Sequence, residues 1–150
     1  MNLFKQISLF DRSKEPALIE RALIVREPWA SKIVSGKKIL EIRGSNTNIR
    51  EPIGIIAGGT GKIIGVCELV GVRGPLSLEE YIETYSLGGG VDPQYLNRTQ
   101  TLPYKQTFAW ELKNPQRLSE PIRYEHPNGA VIWVKLKKNT QEALHKALSK

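Results

Sequence analysis

Lys37, Lys38, Glu41, Arg43 and Arg50 fall within a run of fourteen residues that includes the polar stretch Ser45-Asn46-Thr47-Asn48. Lysine and arginine N–H groups bind phosphate or the acceptor edge of a base, and a carboxylate among them orients an arginine or accepts a base N–H. As a binding site, Lys37, Lys38, Arg43, Ser45 and Arg50 would hold RNA or a nucleotide, with Glu41 as the acceptor. As an enzyme, Lys38 and Glu41 would be the pair that moves protons and steadies developing negative charge. On a regular strand over 38–43, Glu41 and Arg43 share one face while Lys38 points to the other. Lys38 and Glu41 serve one site only if Lys38 belongs to the turn after Gly36; otherwise they are ion-pairing groups on a solvated strand.

Trp29, Trp110 and Tyr104 are candidate stacking surfaces for bases, and Lys105 sets a cation beside Tyr104 in the loop entering TFAWEL. Trp133 reads as core. GGTGK (58–62) lacks the Gly-Lys-Ser/Thr ending of a phosphate loop, since Ile63 follows the lysine, and is read as a hairpin turn. Cys67, the single cysteine, has only His126 and His145 for company, so neither a zinc set nor a nucleophile–base pair is expected. No metal and no cofactor is called for.

The elements that must position these residues follow from pattern. ERALIVR (20–26) reads as a strand, Pro28–Ser35 as a helix stopped by Gly36, and KILEIR (38–43) as the next strand. IGIIA (53–57) and KIIGVCELVGV (62–72) flank the glycine hairpin, and SLEEYIETY (77–85) is a short helix with Ser77 and Glu80 at capping-box spacing. Gly88-Gly89-Gly90 and Asp92-Pro93 mark a crossing before a helical turn at Gln94–Arg98; strands resume at 106–112 and 130–136. About six short strands and two or three inserted helices, without regular strand–helix alternation, predict an α+β fold built on a small mixed β-barrel.

A chain of 150 residues, 40% hydrophobic, suits one domain. The expected division is an N-terminal extension (1–18), the domain proper (19–136) and a basic C-terminal helix or tail (137–150), polar and free to fray. Net charge is +7, of which the tail holds +3. That balance fits a polyanion such as RNA. No apolar run approaches the roughly 18 residues of a membrane span, and no secretory leader is evident. A cytoplasmic monomer is expected.

PWASKIVSGKKILEIR (28–43), QTFAWEL (106–112) and HPNGAVIWV (126–134) together resemble the ASCH domain family, whose members have a PUA-like barrel. The first segment is the most specific: a helix, a Gly-x-Lys turn and a strand ending in Glu-x-Arg, here Gly36, Lys38, Glu41 and Arg43. The resemblance implies an RNA or nucleoside site in the cleft beside the turn. Some ASCH proteins hydrolyse the acetyl amide of N4-acetylcytidine with a lysine, a threonine and a glutamate, and ribonuclease activity is also known in the family. Lys38 matches that lysine, but Glu41 stands in the place of the threonine, which removes the hydroxyl. Glu80, Glu83 and Glu111 are the alternatives for the remaining glutamate.

Overall fold

The computed structural model describes residues 18–89 and 101–149. The helical turn expected at Gln94–Arg98 and most of the N-terminal extension lie outside them. The elements in order are β1 (Arg21–Val25), α1 (Trp29–Val34), β2 (Leu40–Arg43), β3 (Glu51–Ala57), β4 (Lys62–Arg73), α2 (Leu78–Glu83) continued by a 3-10 turn (Thr84–Leu87), β5 (Phe108–Arg123), β6 (Trp133–Lys135) and α3 (Lys138–Leu148). All six strands form one sheet in the order β2-β5-β4-β3-β1-β6. It is mixed, because β1 and β3 run parallel while every other pair is antiparallel. The small α+β barrel expected from sequence is thus present as a curled half-barrel with β2 and β6 at its edges.

Both faces of the central strands are covered, which explains why 53–57 is apolar without alternation and buried throughout. One cluster, with Leu23, Val25, Ile55, Phe108 and Trp110, lies beneath α1 through Ala30, Ile33 and Val34. A second, with Ala22, Ile56, Ile63, Val66 and Leu118, lies beneath α3. A third gathers Leu40, Leu76, Tyr81 and Ala109.

Local chemistry fixes α1, which fixes the turn after it. The Glu27 carboxylate accepts from the Ser31 amide at 2.8 Å and from its hydroxyl at 2.6 Å, satisfying the first turn. Gly36 closes the helix at φ 84°, where a side chain would be strained. A Cβ on Gly65 would sit 2.5 Å from Val34 Cγ1 and 2.6 Å from the Gln116 carbonyl, so glycine lets α1 settle directly on β4.

Strand β6, expected over 130–136, is confined to Trp133–Lys135, and two further elements differ more deeply from the sequence expectation. Strand β5 runs 16 residues instead of seven. Its polar second half, with Pro115 and Pro121, pairs only with β4, because β2 covers no more than Phe108–Glu111; prolines are tolerated on such an open edge. The C-terminal segment is not a loose tail: Thr140, Leu144 and Leu148 form a stripe four residues apart that closes the second cluster. Leu144→Ala should therefore lower unfolding stability by about 2–5 kcal/mol, and deletion of 137–150 should abolish the cooperative urea transition. A truncated chain that unfolds like wild type would show α3 to be dispensable.

Candidate functional site

Strand β2 begins only at Leu40, so Lys38 belongs to the turn that Gly36 opens. The alternation that would have parted Lys38 from Glu41 does not reach it. The Lys38 amide donates to the Lys32 carbonyl at 3.1 Å, pinning the turn. Its ammonium donates to the Gly88 carbonyl at 2.9 Å and lies 3.7 Å from Glu41 Oε1. Glu41 Oε2 accepts from Arg43 Nε at 2.9 Å and Nη2 at 2.8 Å, and Nη2 also donates to the Ile24 carbonyl at 2.7 Å. Lys38 and Glu41 are 4% and 7% exposed, so this is a buried cluster and not a solvated ion pair.

Glycines shape the cover over Lys38. A Cβ on Gly88, at φ 72°, would lie 2.8 Å from the Lys37 carbonyl, and one on Gly89 would lie 3.0 Å from Leu40 Cβ. The chain leaving the 3-10 turn can therefore lie against the lysine turn and bring a carbonyl to the ammonium. Burial pushes the Lys38 amine below its ordinary range, the Glu41 carboxylate opposes that shift, and Lys32 and Arg43 add to it.

These groups line an open cleft of about 560 Å³, together with Arg26, Trp29, Tyr81 and Tyr104. Arg26 and Gly58 stand at the carboxyl ends of the parallel pair β1 and β3. Trp29 and Tyr104 are 40% and 46% exposed and offer ring surface. Tyr104 packs on Gly44, where a Cβ would fall 2.8 Å from its Cδ1. Trp29 has the Lys32 and Lys38 ammonium groups 5.0 and 5.4 Å from its ring centroid.

Other expected site residues go elsewhere. Trp110 is not a cleft wall: at 1% exposure it is core, stacked on Trp133 at 5.8 Å, with its indole N–H on the Ser45 carbonyl at 2.9 Å. Ser45 is used through that carbonyl. Arg50 turns back onto the carbonyls of Thr47 and Ile49 at 2.9 and 2.7 Å, bracing the loop before β3. Lys37 and Lys105 are exposed and outside the cleft lining. Of the three glutamates offered as alternatives none lines the cleft: Glu80 caps α2, Glu111 accepts from Arg73 and Glu83 is exposed. Among the described lining residues Glu41 is the one carboxylate, and no serine or threonine is present. Cys67 is fully buried, which pushes its thiol up to about 12 and withholds the thiolate.

Sequence reading missed Arg26 and Tyr81. Arg26 ends the run ERALIVR, and the signal was a cation at the end of a strand, meaningful only once that strand is known to pair in parallel. Tyr81 lies on the buried face of α2 and belongs to both the third cluster and the cleft.

The lowered Lys38 pKa has a thermodynamic consequence. Between its folded value and the ordinary 10.5, the unfolded chain holds a proton the folded chain lacks, so this group makes stability rise with pH through that window. The stability of wild type relative to Lys38→Met should increase as pH is raised from neutrality toward about 10, read by chemical denaturation at several pH values. A decrease would mean that the attraction of Glu41 outweighs burial.

No curated protein matches the chain in sequence. ZmASCH from Zymomonas mobilis superposes with a TM-score of 0.61 at 20% identity, over 85% of this chain and 94% of that one. A serine-to-alanine variant of the same protein gives a TM-score of 0.61 at 20% identity, over 88% and 98%. At that identity the likeness establishes the fold. The ASCH domain family model matches residues 23–122, from within β1 through nearly all of β5 and including every described cleft-lining residue except Val131. The chain belongs to the ASCH domain family.

Proposed function

We propose that the protein binds RNA or a nucleotide in the cleft beside the Gly36-Lys37-Lys38 turn and the Glu41/Arg43 strand. The observation that carries this reading is the meeting in one cleft, among the described residues, of three cations with a single carboxylate and two exposed aromatic rings. Net positive charge suits phosphate, and a ring face suits a base, while neither alone would select a nucleotide. The buried Lys38 and Glu41 add a donor and an acceptor side by side: the ammonium has two N–H groups beyond the one given to Gly88, and Glu41 Oε1 faces the lysine at 3.7 Å. An unpaired base edge presents the complementary acceptor and donor. Arg43 contributes charge, but most of its guanidinium is committed to Glu41 and Ile24.

Single-stranded RNA should bind with an affinity that falls steeply between about 50 and 200 mM salt. Trp29→Ala and Tyr104→Ala should each weaken it by about 1–3 kcal/mol, the worth of one stacked base, in a fluorescence anisotropy titration. Salt-independent binding, or wild-type affinity in both variants, would sink the reading.

A second reading, a hydrolase acting on a modified nucleoside such as N4-acetylcytidine or on RNA, is favoured by one feature. Lys38 is an amine held near a carboxylate with its pKa lowered by burial, as a proton-transfer group requires. Among the described lining residues there is no serine or threonine, which favours water as the nucleophile. Turnover of acetylated cytidine or RNA that is lost in both Lys38→Ala and Glu41→Gln would support it. Turnover that survives both would remove these residues from catalysis.

A further inference from the structure

Lys62 and Arg123 stand directly opposite one another in the β4–β5 ladder, and Arg117 pairs Gly65 three residues further along β4. Like charges facing across a ladder are destabilising, and an anion laid beside them relieves the repulsion. None of the three forms an ion pair among the described residues, and neither does Arg26 at the cleft. Arg21 and Lys137, by contrast, are neutralised by Glu51 and Glu125.

Register places this cationic group on the cleft side of the sheet. Cross-strand partners project to the same face. Lys62 pairs Ala57, which belongs to the cluster under α1, and Gly65 lies against Val34 of α1. Lys62, Arg123 and Arg117 therefore flank α1 on the face that carries Trp29. The connection to the cleft is the hairpin itself: Gly58 lines the cleft, and a Cβ there would lie 3.7 Å from Arg26 Cα, while Lys62 is the first strand residue after the turn. Three residues of β4 span about 10 Å, so three cations lie within reach of a few consecutive phosphates.

We infer that the ligand is a polymer: a single RNA strand that sets one nucleotide in the cleft, crosses the 58–61 hairpin and lays its backbone along Lys62, Arg123 and Arg117. This deepens the RNA reading of the cleft and rests on it. The phosphates supply the missing counter-charge, and phosphate contacts of this kind position the strand without reading its sequence.

The test compares cytidine monophosphate with a ten-nucleotide oligocytidylate on wild type and on the triple variant Lys62→Gln/Arg117→Gln/Arg123→Gln. All three side chains lie at the surface or partly so, and circular dichroism checks that the variant is folded. The variant should lose about tenfold or more in oligonucleotide affinity at low salt. Its salt slope should fall by about 2, near the 0.7 expected for each single-strand phosphate contact. Mononucleotide affinity should stay at the wild-type value. Undiminished oligonucleotide binding by the variant, or an equal loss for mononucleotide and oligonucleotide, would overturn the strand path and leave the cleft reading standing. Binding of an acidic peptide or anionic vesicle in place of the oligonucleotide would overturn the strand path. Failure of wild type to bind either ligand would overturn both.

Discussion

The Arg43 guanidinium is the clasp on which the site depends. It sits at the end of an edge strand, and through Nη2 it reaches the Ile24 carbonyl on β1, which lies at the other side of the sheet order. One side chain therefore spans the gap that the curled sheet leaves open. Beneath it, Trp110 of β5 stacks on Trp133 of β6, carrying the same closure through the core, and the Arg43 guanidinium lies 5.7 Å from the Trp110 ring centroid. A guanidinium in such a place is unfavourable unless paired, and Glu41 provides the charge from two residues away on the same strand. The Glu-x-Arg pattern is thus first a device for closing the barrel, and the cleft is the part of the seam it leaves open.

That arrangement sets the electrostatics around Lys38. One Glu41 oxygen is engaged by Arg43, so the other faces the ammonium without full contact at 3.7 Å. Burial then outweighs the attraction, and the amine is held below its ordinary pKa. The Gly88 carbonyl fixes the ammonium from above, and the missing side chains of Gly88 and Gly89 are what allow that carbonyl so close. Donor and acceptor are held in place before any ligand arrives, and preorganised groups pay no reorganisation when a ligand does arrive.

Much of this was legible because local chemistry and tertiary structure agree. The helix with its glycine stop, the glycine hairpin and the Ser77–Glu80 capping box all appear as their residues specify. The pattern of a helix over 28–35, a glycine turn and a strand over 38–43 places Lys38, Glu41 and Arg43 close together, and the later start of the strand at Leu40 is what puts Lys38 in the turn and on the side of Glu41. What escaped depends on pairing partners. Trp110 reads as a plausible base platform until Trp133 is found stacked on it from another strand. Arg50, exposed and cationic, reads as a ligand contact until its guanidinium is seen on the carbonyls of its own loop. The stripe of Thr140, Leu144 and Leu148 is sparse within a polar sequence, and becomes a core face only because the sheet offers Val134, Leu136 and Leu118 to meet it.

Strand β5 carries the least legible and most consequential feature. Between the pairs Ile63–Ile122 and Gly65–Arg117, β4 advances two residues while β5 advances five. An excess of that kind bends a sheet and increases its local twist, which a half-barrel needs in order to curl back on its own edge. The same excess draws Arg117 and Arg123 together, since residues six apart on β5 pair with positions only three apart on β4. The polar, proline-bearing composition of 113–121, which carries no strand pattern, suits an open-edged, bulged strand. Curling the sheet and drawing these two arginines together are therefore two consequences of one irregularity, and a substitution that regularised β5 would disturb both.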